Sequence, residues 1–336
     1  MKEASFYKKL DNLKVKCLLC PHECLIHNNE TGICAVRKNL GGTLFSLVYG
    51  KVIAENTDPI EKKPLYHFMP ATRSFSLATV GCNLKCQHCQ NYEISQMPLD
   101  RKMINGRDKS PEELVRFAKN TSCDSISFTY SEPTIYYEFA HDIAILSKAQ
   151  GLKNIMVTNG YINNKPLEEI APYIDGANID LKAFSEEFYR RICGARLQPV
   201  LDSIRLYKKL GIWIEITTLI IPGLNDNENE LINLAEFIAS VGIDIPWHVT
   251  AFYPTYNLLK KPRTSIDQLI KAREIGMNAG LRYIFTGNIP GYEGENTYCY
   301  ECKKLLIERT GFRIENNQIK DGSCPECNTK IDGYFQ

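Results

Sequence analysis

The chain has 336 residues, 44% of them hydrophobic, and sets forty basic against thirty-nine acidic side chains for a net charge of +1. Such a length holds one large α/β domain with small appendages and a full core, and the charge balance excludes a global field that would recruit nucleic acid or an anionic membrane. The charged start Met1-Lys2-Glu3-Ala4 and the lack of any apolar run of membrane-span length lead to the expectation of a cytoplasmic protein with no membrane and no nucleic-acid partner.

In chain order, the first landmark is a cysteine group, Cys17, Cys20, Cys24 and Cys34, within residues 1–70. The chain has thirteen cysteines, and in a large cytosolic protein that number argues for metal rather than disulfides. After this group, Thr43 to Ala54 alternates as a short hairpin would, and Asp58-Pro59-Ile60-Glu61-Lys62-Lys63-Pro64 reads as a proline-bounded loop. From about residue 74 strand-like runs recur at 75–80, 125–130, 154–158, 177–181, 213–221 and 247–252, with a further one at 282–286. Helices are predicted between them. The best marked starts at Ser110-Pro111-Glu112-Glu113, a capping box with proline in the first turn, and others cover 134–150, 201–210, 228–241 and 265–279, each followed by glycine or ending beside one. Repeated strand and helix with right-handed crossovers imply a curved parallel sheet, a six-stranded open α/β barrel over 71–290. Residues 291–336 form a last module carrying Cys299, Cys302, Cys324 and Cys327.

The most informative feature is Gly81-Cys82-Asn83-Leu84-Lys85-Cys86-Gln87-His88-Cys89, a CxxxCxxC run directly after the first barrel strand. Three thiolates on a short loop hold three irons of a [4Fe-4S] cube and leave the fourth open to a substrate ligand. The loop falls at the C-terminal mouth of the strands, where such folds place their chemistry. The competing reading, a zinc knuckle, wants four ligands in local CxxC pairs. The combination resembles the radical SAM superfamily. That resemblance implies a partial (β/α)6 radical SAM barrel, a [4Fe-4S] cluster on Cys82, Cys86 and Cys89, and S-adenosylmethionine cleaved reductively to a 5'-deoxyadenosyl radical.

Polar residues at strand ends face the expected ligand. Thr129-Tyr130-Ser131-Glu132-Pro133 resembles the superfamily's Gly-Gly-Glu-Pro segment with both glycines replaced, which implies that Ser131 and Glu132 hold the methionine amino group; the alternative is a strand-end glutamate in water. Asn159 ends the third strand. Asp180 and Lys182 share one face of the fourth and need partners there, either each other or the cofactor. His88 takes the place of an aromatic residue that stacks on adenine in similar loops, and His248, on the face opposite Val249 and Ala251, is implied to lie near the adenosyl group, against the commoner case of a satisfied core histidine.

The pairs Cys299-x2-Cys302 and Cys324-x2-Cys327, 21 residues apart, read as a zinc ribbon, with a second iron-sulfur cluster as the alternative. Zinc and a cluster stay equally open for Cys17, Cys20, Cys24 and Cys34, and Cys123 and Cys193 read as buried small hydrophobes. With Cys17-x2-Cys20-Pro21-His22, the 58–65 run, Gln90-Asn91 and Gly287-Asn288-Ile289-Pro290-Gly291, nearly the whole chain resembles the AmmeMemoRadiSam system radical SAM enzymes, relatives of pyruvate formate-lyase activating enzymes. The resemblance implies hydrogen abstraction from an unidentified substrate, a flavodoxin or ferredoxin reductant, anaerobic chemistry, and cooperation with Memo-like and AMME-type proteins. A glycyl-radical-enzyme activase is the alternative within the chemistry, and a non-catalytic multi-metal binding protein the alternative outside it.

Overall fold

Eight strands form the main sheet of the computed structural model, which describes residues 1–289 and 293–335. They are β1 (Ala54–Pro59), β2 (Arg73–Ala78), β3 (Ser125–Phe128), β4 (Lys153–Thr158), β5 (Gly176–Asp180), β6 (Trp213–Ile220), β7 (Trp247–Ala251) and β8 (Ile284–Gly287). β2 to β8 are parallel and lie side by side in chain order, while β1 adds an antiparallel edge. Six helices make the crossovers: α1 (Pro111–Asn120), α2 (Tyr137–Ala149), α3 (Asn164–Ile170), α4 (Leu197–Lys209), α5 (Glu228–Val241) and α6 (Ile266–Asn278). The six expected barrel strands are β2 to β7, the additional run forms β8, and among the described residues β8 pairs only with β7, so the barrel stays open. Capping boxes start two of these helices, Ser110 with Glu113 and Ser265 with Gln268.

Two local expectations are corrected. The hairpin is not at 43–54: Arg37–Leu40 pairs with Thr43–Ser46, because Gly41 and Gly42, at φ of 62° and 83°, supply the left-handed pair that a two-residue turn requires. The 58–64 segment is not a free loop either. Asp58 ends β1, is buried, and accepts from Lys62 Nζ at 2.9 Å, Lys63 Nζ at 2.6 Å and the Tyr130 hydroxyl at 2.5 Å, so it closes a turn over the sheet edge.

Both ends of the chain are fused to the barrel. Val15, Cys17, Leu19, Ile26, Cys34 and Val36 belong to the same apolar core as the barrel strands and helices. Arg37, 2% exposed, clamps α2 through Glu138 at 3.0 and 3.1 Å and also donates to the Ser5 carbonyl at 2.7 Å; removing one partner of such a buried pair costs about 3–5 kcal/mol. The carboxy-terminal strands Thr297–Tyr298, Leu305–Thr310 and Arg313–Asn317 form a small sheet with its own core against Tyr66, Tyr283 and Phe285. Part of the 287–291 run, Pro290-Gly291, lies outside the described residues. No helix among the described residues is long and apolar enough to cross a membrane.

Candidate functional site

The loop after β2 begins at Gly81, whose φ of +105° a side chain rarely adopts, and a Cβ there would stand 2.8 Å from Val36 Cγ1. Backbone bonds then pin the loop from outside, Lys85 N–H to the Cys193 carbonyl at 2.8 Å and Gln87 N–H to the Ile192 carbonyl at 2.9 Å. The three thiols of Cys82, Cys86 and Cys89 do not gather within 4.8 Å of one another. Thiolates sharing one tetrahedral ion at about 2.3 Å from zinc would lie some 3.8 Å apart, so the wider spacing suits a cube that gives each thiolate its own iron. Donors await these sulfurs: Leu84 N–H at 3.3 Å and Asn159 Nδ2 at 3.6 Å from Cys82 Sγ, and the Ser95 hydroxyl 3.2 Å from Cys89 Sγ. Burial pushes the Cys82 thiol up, with the Glu132 charge adding, and burial likewise raises Cys89. Deprotonation is therefore costly until a cation arrives to hold the thiolates.

Around the loop stand most of the strand-end residues singled out above. Ser131 Oγ donates to the Thr79 carbonyl at 2.7 Å, on the residue two before Gly81. Glu132, 2% exposed, is committed to the protein itself: it accepts from Thr134 N–H, Thr134 Oγ1, Thr158 Oγ1 and, at 2.8 Å, Asn159 N–H. Burial raises its pKa, and these hydrogen bonds pull the other way. Its geometry fixes the end of β4, and with it the Asn159 amide, which also donates to Asn83 Oδ1 at 2.8 Å. Asp180 and Lys182 pair at 2.8 Å with side chains 35% and 15% exposed. Burial opposes the Lys182 charge, yet Asp180 and the thiols of Cys86 and Cys193 hold its ammonium well above the usual lysine range. His88 is 4% exposed, packs against Phe188 at 5.9 Å between ring centroids, and has no partner for Nδ1 among the described residues. Burial, with the Lys182 charge adding, pushes it down to about 3, so the ring is neutral and carries an unused polar atom at the mouth.

His248 is not brought to this group. Its Nε2 lies 2.6 Å from Glu215 Oε2, and its ring packs on Tyr66, in the segment before β2, and on Phe285 of β8, both of which the carboxy-terminal module covers. Glu215 also accepts from the N–H groups of Tyr66 and His67 and from Trp213 Nε1. The histidine is thus a satisfied core residue with a buried carboxylate partner.

One residue of the site was read from sequence as a plain buried hydrophobe. Cys193 closes the turn Tyr189–Cys193, and its sulfur lies within 4.8 Å of the ligand atoms of both Cys86 and His88. A hydrogen bond from Cys193 lowers the Cys86 pKa against the effect of burial, and burial raises that of Cys193 itself. Only the tertiary contact reveals this role, since Cys86 and Cys193 are far apart in the chain and neither the spacing nor the composition links them.

The terminal groups differ from the loop and from each other. Cys299, Cys302, Cys324 and Cys327 all lie within 4.8 Å, with Sγ pairs at 3.6 and 3.7 Å, the edge length a tetrahedral zinc shell demands. Cys17, Cys20, Cys24 and Cys34 line one small cavity without any three coming that close.

Comparison with known proteins gives consistent results. A model of the radical SAM superfamily matches residues 76–238, from β2 into α5 and clear of both terminal cysteine groups. An uncharacterized protein of Methanocaldococcus jannaschii is 46% identical over 335 residues, 99% of each chain. A putative glycyl-radical enzyme activating enzyme of the same organism is 28% identical over 206 residues, 60% of this chain and 76% of that protein. The pyruvate formate-lyase-activating enzyme of Clostridium pasteurianum is 28% identical over 167 residues, 48% of this chain and 67% of that one. Among solved structures, SuiB of Streptococcus suis bound to S-adenosylmethionine has a TM-score of 0.52 at 16% identity, covering 72% of this chain and 56% of that chain, a likeness of fold.

Proposed function

We propose, on the premise that this chain belongs to the radical SAM superfamily, that Cys82, Cys86 and Cys89 hold the [4Fe-4S] cluster and that the mouth of the barrel seats S-adenosylmethionine for hydrogen abstraction from a substrate still to be identified. The superfamily's cluster and cofactor, when bound, supply one-electron cleavage of the sulfonium to a 5'-deoxyadenosyl radical. The observation that carries the reading is a loop of three thiols spaced more widely than a shared zinc would hold them, set beside a buried histidine nitrogen with no partner among the described residues.

The chain's own residues orient and enclose. Glu132 locks the ends of β3 and β4 together, so that Asn159 meets both Asn83 and the Cys82 sulfur. Lys182 keeps its proton and offers an ammonium to an anionic group, while Asp180 beside it accepts from hydroxyl or ammonium donors. His88 Nδ1 accepts one hydrogen bond in its neutral form or lies flat against an adenine face. Phe188 and the Cys193 turn cover the loop and limit water.

The finer reading is an AmmeMemoRadiSam-type enzyme reduced by a flavodoxin or ferredoxin and working with Memo-like and AMME-type proteins. A glycyl-radical activase is the second reading, supported by the partial matches to activating enzymes. Anaerobically reconstituted protein should release 5'-deoxyadenosine from S-adenosylmethionine under dithionite, and Cys86→Ala should abolish that release. Undiminished release from the variant would remove Cys86 from the ligand set.

A further inference from the structure

We infer that Cys17, Cys20, Cys24 and Cys34 bind a second [4Fe-4S] cluster, and that this cluster feeds electrons to the one held by Cys82, Cys86 and Cys89; the relay rests on the radical SAM reading above, whereas the site does not. Three observations lead to it.

The first is the shape of the site. The four cysteines line one cavity, bounded also by Leu19, His22, Ile26 and Ile135. The same chain closes its other four-cysteine group to tetrahedral edges of 3.6 and 3.7 Å, yet here no three sulfurs come within 4.8 Å. Four thiols spaced more widely than a zinc shell suit a cube with one thiolate per iron better than a single zinc ion.

The second is an unspent donor. Arg37 lines the cavity and is 2% exposed, with its Nη atoms spent on Glu138 and the Ser5 carbonyl, but its Nε has no partner among the described residues. A buried guanidinium N–H left unpaired is expensive. A cube with four thiolates is a dianion when oxidised and a trianion when reduced, and hydrogen bonds to its sulfurs are one of the levers that set its potential. Arg37 supplies both the charge and the hydrogen bond.

The third is connection. His22, two residues beyond Cys20, places Nε2 2.8 Å from the carbonyl oxygen of Asn83, the residue after Cys82. On the other side the Cys34 carbonyl oxygen stands 3.5 Å from where a Gly81 Cβ would be, next to Cys82 again. The His22 contact therefore joins one cysteine group to the residue beside a ligand of the other, and the Cys34 backbone packs close to the same loop. In the relay one electron passes from a low-potential protein carrier of the flavodoxin or ferredoxin class to an iron of the amino-terminal cube. The same electron then moves to the cluster on the loop, and the first cube returns to its oxidised state.

The test uses the full chain, reconstituted anaerobically with iron and sulfide and assayed for both, for zinc, and by Mössbauer spectroscopy. Wild type should hold roughly eight irons, four per cube, in two spectral classes of which only one responds to S-adenosylmethionine. The Cys82→Ala/Cys86→Ala/Cys89→Ala variant should keep about half of that iron and lose the response; the Cys17→Ala/Cys20→Ala variant should keep the responsive half. His22→Ala, which leaves every cysteine in place, should retain full iron while flavodoxin-driven reduction of the responsive cluster slows at least tenfold and dithionite reduction does not. A loop-triple variant with no iron and one equivalent of extra zinc would overturn the second cluster and leave the radical SAM reading intact. Iron confined to the amino-terminal group with no response to S-adenosylmethionine would overturn that reading and leave the second cluster standing. Full iron with unchanged flavodoxin kinetics in His22→Ala would overturn the relay along this path. Should the cysteine variants fail to fold, the two spectral classes of the unmutated protein still decide the cluster count.

Discussion

Gly81→Ala tests whether the amino-terminal module is built against the cluster loop. Two costs add. An alanine at φ +105° sits in a sparsely populated region, at about 1–3 kcal/mol. Its Cβ also meets Val36 Cγ1 at 2.8 Å in a fully buried site, and overpacking of that kind costs about 1–3 kcal/mol more. The sum, roughly 2–6 kcal/mol, is a large part of the 5–15 kcal/mol that holds a typical native state. Gly151 supplies the control, because it also has a positive φ, +77°, but nothing lies within 4 Å of its added Cβ. Gly151→Ala should show the conformational part alone.

Val36→Ala then isolates the contact. By itself it removes buried methyl groups, at about 0.8 kcal/mol per carbon plus a cavity cost. Combined with Gly81→Ala it also deletes the atom the new Cβ strikes, so the double variant should be about 1–3 kcal/mol less destabilised than the two singles added together. Urea unfolding of the reconstituted protein at constant slope gives the four free energies of the cycle, and iron content reports whether the loop still binds its cluster. Additivity within about 0.5 kcal/mol would refute the claim that Val36 presses on the loop.

Two other outcomes follow from the sites. Cys193→Ala removes the thiol beside Cys86 without removing a ligand of the proposed set, so iron content should be retained while the midpoint potential of the S-adenosylmethionine-responsive cluster falls, measured by redox titration, since a hydrogen bond to a ligand sulfur is lost. Chelation of zinc, or Cys299→Ser with Cys327→Ser, should melt the 297–335 module into protease sensitivity, because structural zinc contributes on the order of 10 kcal/mol to such a segment, and should leave the iron of the barrel loop in place.

Much of this molecule could be read from its sequence because the decisive signals are local. CxxxCxxC marks three candidate ligands within eight residues, the alternation of strands and helices fixes the sheet order, and Ser110 and Ser265 start helices whose partners stand three residues on. Misreadings arose where a distant residue decides. Asp58 reads as loop, but Lys63 and Tyr130 close on it; Glu132 reads as a holder of the methionine amino group, but Thr158 and Asn159 occupy its oxygens; His248 reads as a cofactor contact, but its ring pairs with Glu215. Cys193 carries no pattern at all, and only the turn that ends at it brings it to Cys86.

The two terminal cysteine groups make the same point about metals. Both begin with C-x2-C, and on spacing alone neither could be given zinc or iron. In the carboxy-terminal group the two halves repeat one backbone: Lys303 N–H returns to the Cys299 carbonyl and Asn328 N–H to the Cys324 carbonyl, with both Lys303 and Asn328 at φ of 60°. Two identical knuckles face each other and converge on a point the size of one ion. In the amino-terminal group the halves are unlike. Cys17 lies on a strand that pairs with the Cys24 region, Cys20 sits in the turn closed by Glu23 N–H, and Cys34 comes from a separate turn closed by Ala35 N–H onto the Gly32 carbonyl. Nothing in that geometry drives the four sulfurs to a common point, so they surround a volume instead. How the ligand turns oppose one another separates the two groups, a property of the fold that no count of intervening residues can express.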